Sequence, residues 1–205
     1  HAATHLVGAA AVARMQTPTT TLAARAGLGY GYGLGIYQFQ RAGVSFFGHG
    51  GDAHGYLAHF AYAPALQRGY FIVINAFNKE ALRKMRQLIE EELVGSTSAP
   101  PASNAPLSET QIQTLVGTYR PATRRFAHEG DADSMEVFAE GSKLYTSAQP
   151  GSRALLAVSP WHFRRTNQTV ATIAFVACRD RVYLQGDFGN YEKRVPGAAA
   201  ACPED

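Results

Sequence analysis

The stretch Phe47-Gly48-His49-Gly50-Gly51-Asp52-Ala53-His54-Gly55-Tyr56 restricts the fold more than any other part of the chain. It places four glycines, two histidines and an aspartate between the apolar runs Val44 to Phe47 and Leu57 to Tyr62. Glycine weakens a strand, so such a cluster marks backbone that passes close to something, either a ligand or another part of the protein. The same glycines argue against a helix. The segment therefore reads as extended backbone left bare for an approaching group.

Around it the chain divides in two. Ser96 to Pro106 is small, polar and proline-rich, without apolar periodicity. It predicts a linker over 96–106 between a first domain, 1–95, and a second, 107–196, with 197–205 a frayed tail. In the first domain Leu6 to Met15 reads as a short alanine-rich helix, stopped at Thr17-Pro18. Glycines 27, 29, 31, 33 and 35 alternate with Leu28, Tyr30, Tyr32 and Leu34, a period of two that predicts a strand over 26–41. Their spacing is not that of a dinucleotide-binding turn, and no helix follows. Val44 to Phe47 predicts a strand running into the glycine cluster, and Gly55 to Ala63 another, ended by Pro64. Tyr70 to Asn75 is nearly all apolar, as expected of a central strand buried on both faces. Asn78 is placed to cap a helix and Gly95 to stop it. Between them Leu82, Met85, Leu88, Ile89 and Leu93 fall on one face, with Arg83, Lys84, Arg86, Glu90 and Glu91 largely on the other.

The second domain has another texture. Ser108 is placed to cap a helix reaching Val116. Short alternating runs follow: Gly117 to Arg120, Met135 to Ala139, Lys143 to Ser147, Ala154 to Val158, Trp161 to Arg165, Val170 to Cys178, Arg181 to Gln185 and Phe188 to Arg194. Breaks at Glu140-Gly141-Ser142, Gln149-Pro150-Gly151 and Gly186-Asp187 suit hairpin turns. Such spacing predicts a small antiparallel barrel or sandwich, and the fold class is α+β.

A net charge of +3 with no long basic run gives no reason to expect nucleic acid as a partner. No apolar run approaches the roughly 20 residues that span a bilayer, so no transmembrane segment is expected. Cys178 and Cys202 are enough for one disulfide, which the sequence leaves open. His1 stands where a methionine would, and no signal peptide follows, so a longer protein opened mid-chain is expected.

Chemistry is sparse. His49, His54 and His59 recur every five residues, a spacing that sends strand neighbours to opposite faces and misses the register of zinc-binding helical pairs. No metal site is expected, and His54 and His59 read as partly buried or surface histidines. No Gly-x-Ser-x-Gly occurs, and none of the serines is followed three residues on by lysine. Tyr145-Thr146-Ser147 lies within a predicted strand and reads as structural. Arg124, Arg125 and Phe126 form a basic-aromatic cluster best read as a solvated loop. What remains is a strand with Gly-His-Gly-Gly. An exposed edge gives a substrate backbone to pair with, a free N–H donates to a developing oxyanion, and a histidine holds a carboxylate or assists proton transfer.

These features together resemble the C-terminal third of the catalytic domain of serine β-lactamase-like and penicillin-binding-protein-like hydrolases, in style closest to class C β-lactamases and related esterases and peptidases. The residues that carry the resemblance are Tyr32-Gly33-Leu34-Gly35, Gly48-His49-Gly50-Gly51, Gly55-Tyr56, Pro64, the run Tyr70 to Asn75 and the helix from Lys79 to Val94. The resemblance implies a partial β-lactamase-like antiparallel sheet with a C-terminal helix. It implies that His49-Gly50-Gly51 is a His-x-Gly triplet at the active-site wall, that Asp52 gives an oxyanion N–H, and that Gly50, Gly51 and Tyr56 line the substrate side. It further implies serine hydrolysis through an acyl-enzyme, acting on β-lactams, D-amino-acid peptides or esters, without metal or organic cofactor, in a periplasmic or secreted setting. The family's Ser-x-x-Lys and Tyr-x-Asn elements lie upstream of this triplet and do not occur in the first half here. The expected partner is therefore an upstream catalytic segment, in the same protein or a separate chain, and the chain alone is expected to be inactive.

The second half resembles the lipocalin-like β-barrel appended to many of these hydrolases. Leu115-Val116-Gly117-Thr118-Tyr119-Arg120, Trp161-His162-Phe163-Arg164 and Ile173-Ala174-Phe175 leading to Tyr183 carry that likeness. A rival reading makes the chain a non-catalytic module whose barrel binds a ligand or partner.

Overall fold

The structure is a computed structural model, and it describes residues 7–96, 100–122, 134–147, 154–186, 189–197 and 200–203. It is an α+β chain that separates into two compact units. One comprises 1–18 and 31–100, the other 19–30 and 101–205.

The first unit is built on a four-stranded antiparallel sheet in chain order: β1 (Tyr37–Arg41), β2 (Val44–Ala53), β3 (Tyr56–Ala63) and β4 (Arg68–Ile74). Two-residue turns join the first three strands. Ala42 and Gly43 both take positive φ, 47° and 82°, which matches the twist of a tight hairpin. Pro64 breaks β3, and a 3₁₀ turn over Pro64–Leu66 leads into β4. Helix α3 (Lys79–Val94) starts at Asn78, whose side chain accepts from the Ala81 N–H, and stops at Gly95. It packs on the sheet face that carries Phe46, Leu57, Ala61 and Ile72, through Leu82, Ile89, Leu93 and Val94. Each buried side chain of this kind contributes about 1.5–3 kcal/mol. A short helix, α1 (Ala9–Gln16), belongs to the same unit, tied by Gln16 Nε2 to the Tyr62 hydroxyl at 3.0 Å.

Three expectations need correction here. The glycine-alternating stretch is a strand only from Tyr37; residues 26–36 turn repeatedly. Gly33 is fixed by close approach, since a Cβ there would lie 1.9 Å from the Met15 carbonyl oxygen. β4 is the edge of the sheet rather than a central strand, and Phe71 and Val73 are 72% and 50% exposed on the face away from α3. The inward ridge of α3 is not the predicted one either. Met85 and Leu88 are 41% and 67% exposed, while Glu90 is fully buried. The ridge runs Leu82, Arg86, Glu90, Val94, one residue per turn, with a charge pair at its centre.

The second unit is a closed barrel of eight antiparallel strands, each bonded to its sequence neighbour, with the last pairing to the first. The strands are β5 (Gly117–Pro121), β6 (Met135–Glu140), β7 (Lys143–Thr146), β8 (Ala154–Ala157), β9 (His162–Arg164), β10 (Ile173–Cys178), β11 (Arg181–Gly186) and β12 (Gly189–Arg194). An up-and-down barrel of this size has an interior just wide enough for side chains. Tyr119, Met135, Leu144, Phe163, Phe175 and Leu184 fill it. Helix α4 (Glu109–Leu115) opens the unit with a capping box between Ser108 and Gln111, and its last carbonyls accept from Lys193 Nζ. Residues 19–30 precede the sheet in the chain yet pack in the barrel unit. Their short helix α2 (Leu22–Arg25) sets Ala23 and Leu28 against Ala174 and Val176, so β10 is buried on both faces.

The predicted linker is partly anchored. Its residues 97–99 lie outside the described residues, but Arg164 donates to the Ala102 carbonyl and to Asn104 Oδ1, and Ala105 N–H bonds the Ala157 carbonyl. The stretch read as a frayed tail is tied as well. Ala200 bridges Arg179, and Cys202 forms a disulfide with Cys178. The turn at Gln149-Pro150-Gly151, part of that at Gly186-Asp187, and Arg124, Arg125 and Phe126 lie outside the described residues.

Candidate functional site

The glycine-histidine stretch is the second half of β2, and its ladder decides what each residue offers. β1 and β2 pair from Arg41↔Val44 to Tyr37↔Gly48, and β2 and β3 from Ala53↔Tyr56 to Phe47↔Tyr62. Alternate residues of an antiparallel strand direct their N–H and C=O to opposite sides. Both turns hold two residues, so Val44, Phe46 and Gly48 bond to β1, while Phe47, His49, Gly51 and Ala53 bond to β3. β1 begins at Tyr37. Past that point the N–H and C=O groups of Gly50 and Asp52 point outward, with no β1 residue opposite them.

The glycines split by role. A Cβ at position 48 would lie 2.1 Å from the Phe60 carbonyl oxygen, so Gly48 is required by the neighbouring strand. At Gly50 and Gly51 a Cβ would meet nothing nearer than 3.6 Å. Their bareness serves the open edge.

His49 pairs with Phe60, and Phe60 with Phe71, so all three share the sheet face away from α3. The His49 ring is flanked by Tyr32, edge-on at 5.8 Å between centroids, and by Tyr37 at 6.0 Å. Its Nδ1 bonds the carbonyl oxygen of Gly50. A carbonyl only accepts, so Nδ1 carries the proton and Nε2 is the acceptor of the neutral ring. Asp52 is exposed, and its carboxylate lies 3.3 Å from Lys79 Nζ, a surface pair of small energetic weight. Tyr56 is exposed across the turn from Ala53, and His54 is exposed in that turn. The structure thus brings His49, Gly50, Gly51 and Asp52 to one edge, with Tyr56 at its tip.

Directly beneath lies a cluster that the sequence did not disclose. His59, expected to be partly buried or on the surface, is 2% exposed on the helix-covered face. Its Nε2 bonds the Tyr37 hydroxyl at 2.6 Å and its Nδ1 the Tyr70 hydroxyl at 3.0 Å. Tyr70 in turn donates to Glu90 Oε1 at 2.6 Å. Arg41 grips the other oxygen of Glu90 through Nε and Nη2 at 3.0 and 2.7 Å, and Arg86 Nη2 reaches Oε1 at 3.4 Å. Burial, reinforced by the Arg86 guanidinium, pushes the His59 imidazole down from 6.5 to about 4, so it is neutral at ordinary pH. Burial also raises the Tyr37 and Tyr70 hydroxyls, the latter helped by its bond to Glu90. The one signal in the sequence was the i,i+4 pair Arg86 and Glu90 in step with Leu82 and Val94.

In the barrel, Tyr145-Thr146-Ser147 has a structural role: Thr146 is buried, and Ser147 Oγ accepts from the Glu136 N–H at 2.9 Å. Among the described residues no three His, Cys, Asp or Glu side chains group as metal ligands. No helix among them is long and apolar enough to cross a membrane.

No family model matches the chain, and no curated protein does. Solved structures do. A crystal structure of SurE matches with 17% identity and a TM-score of 0.41, over 90% of this chain and 42% of that one. SurE with D-Leu matches with 15% identity and a TM-score of 0.36, over 95% and 41%. The octameric penicillin-binding protein homologue from Pyrococcus abyssi matches with 17% identity and a TM-score of 0.30, over 89% and 41%. The chain spans about two fifths of the length of the structures to which it is similar.

Proposed function

We propose that this chain supplies one wall of a serine-hydrolase cleft, completed by an upstream catalytic segment that carries Ser-x-x-Lys. The observation that carries the reading is the open edge of β2, where outward N–H groups of Gly50 and Asp52 stand beside the free Nε2 of His49. The acyl part of a β-lactam, D-amino-acid peptide or ester lies along this edge as an added strand. The seryl hydroxyl of the upstream segment gives its proton to the lysine of the same motif and attacks the carbonyl carbon. The Asp52 N–H donates to the oxygen that becomes negative, and the acyl-enzyme forms as the bond to the amine or alcohol breaks and that leaving group takes a proton. His49 Nε2 accepts a hydrogen bond or a proton from the reacting groups. Gly50 and Gly51 keep the edge clear, and Tyr56 bounds the substrate side.

The chain joined to that upstream segment should take a fluorophosphonate or penicillin label and turn over a chromogenic ester or cephalosporin, and the chain alone should do neither. Turnover by the purified chain alone, or no labelling of the joined protein, would overturn the reading. Within the joined protein Asp52→Ala keeps the N–H and should retain activity. Asp52→Pro removes it at a position with no ladder partner on that side, and should cost roughly 10²–10³ in turnover.

The Cys178–Cys202 disulfide supports a periplasmic or secreted setting, where such bonds persist. The rival reading, a barrel that holds a ligand, meets an interior already occupied by Leu144, Phe163, Phe175 and their neighbours.

A further inference from the structure

The hydrogen bonds beneath His49 run in one direction. The Glu90 carboxylate is bound by two arginines and accepts, so the Tyr70 hydroxyl must donate to it. The Tyr70 oxygen is then left to accept from His59 Nδ1–H. A neutral imidazole protonated at Nδ1 keeps its lone pair at Nε2, and that lone pair takes the Tyr37 hydroxyl proton. Reversal would require Glu90 to donate against Arg41 and Arg86. His59 and Glu90 are buried and the two tyrosines half-buried, and in such surroundings each bond reinforces the next. Its outer end is Tyr37, whose ring lies 6.0 Å from that of His49.

We propose that Tyr37 is a positioning residue for His49: the Tyr37–His59–Tyr70–Glu90 chain holds the Tyr37 ring, and that ring, with the Tyr32 ring beside it and edge-on to the imidazole, holds the imidazole so that Nδ1 stays on the Gly50 carbonyl and Nε2 faces the open edge. This rests on the reading of His49 as a working residue of that edge. Tyr37 itself moves no proton of the reaction. Its hydroxyl is committed inward, and its contribution is to remove the freedom of the imidazole to turn.

The test is a ring-nitrogen NMR measurement on this chain at alkaline pH, where unperturbed imidazoles are neutral. In the wild type the two His49 nitrogens should be well separated, with Nδ1 protonated. Tyr37→Phe keeps the ring volume and removes the anchor, so the two His49 signals should converge toward a tautomer mixture. Tyr70→Phe breaks the chain one link deeper and should move them the same way by less. Val73→Ala trims β4 on the sheet face away from the chain, where the side chain is half exposed, and should leave His49 as in the wild type. An unchanged His49 pattern in Tyr37→Phe would overturn the proposal, as would an equal movement in Val73→Ala. In the protein joined to its upstream segment, Tyr37→Phe should lower kcat roughly tenfold at constant KM. Absence of turnover in the joined wild type would sink the hydrolase reading and leave the tautomer measurement to decide the role of Tyr37.

Discussion

The sheet unit and the barrel bury different chemistry. Inside the barrel are mainly aliphatic and aromatic side chains, with Thr146 buried on the inward face of β7 and the Tyr119 hydroxyl donating to the Leu115 carbonyl at 2.8 Å. Inside the sheet unit, among similar apolar residues, lie a fully buried carboxylate and a neutral imidazole joined by two tyrosines. An apolar interior specifies volume, and many side chains of the right size satisfy it. A hydrogen-bonded interior specifies direction, because each donor must meet an acceptor. The edge that carries His49 sits over the second kind. The described barrel interior is filled mainly by apolar side chains, with the Thr146 hydroxyl buried among them.

The largest effects should come from the two interiors themselves. Phe163→Ala should cost the barrel about 3–5 kcal/mol by leaving a cavity, read as an earlier urea transition of Trp161 fluorescence. Glu90→Ala should cost the sheet unit a similar amount, about 3–5 kcal/mol, by leaving Arg41 and Arg86 without their counter-charge. Hydrogen exchange of the β3 and β4 amides reads it, and a loss below about 1 kcal/mol would erase the contrast drawn above. Next comes pH. The folded-state value of His59 is depressed, so the unfolded chain binds the proton more readily between about 4 and 6.5. Its contribution is fully present above pH 6.5 and is lost as pH falls through about 4, a loss of up to about 3 kcal/mol. His59→Gln should flatten that part of the stability profile of the sheet unit, and an equally steep profile would remove His59 from its cause. In the barrel, Cys202→Ser opens a crosslink between residues 24 apart in sequence. It should cost about 3 kcal/mol on the loop-entropy account, seen as a lower melting temperature. The smallest effect should be that of Leu88→Asp. The side chain is 67% exposed, and the change should stay within about 0.5 kcal/mol, although the apolar pattern of α3 puts Leu88 inward.

That last case shows what was legible. All eight barrel strands could be read from the sequence, because period-two runs separated by Gly141 and similar turn residues are local signals. The caps of α3 and α4, Asn78 and Ser108, were legible for the same reason. Two things were not. Period-two glycines over 27–35 carry no side chains to distinguish strand from turn, and apart from the single bridge of Tyr32 to Tyr37 only Tyr37 onward pairs in the sheet. The face of α3 was decided by Arg41 and Tyr70, which lie 49 and 20 residues from Glu90 in sequence. A helical wheel contains no information about partners so remote. The glycine cluster was legible as an open edge, whereas the tautomer of His49 and the chain beneath it required the hydrogen-bond partners of Gly50, Tyr37 and His59.

The buried Glu90 also acts as a gauge for the seating of α3. Slide the helix along its axis by one turn, and either Arg86 or Val94 takes the place of Glu90. The first arrangement sets a guanidinium against Arg41, and the second leaves Arg41 and Tyr70 facing a methyl group. Apolar contacts alone would tolerate both displacements, since Leu82, Ile89, Leu93 and Val94 are interchangeable in kind. The sign of one charge therefore rejects the misplaced helices, and the seat that survives is the one in which Tyr37 is anchored beside His49.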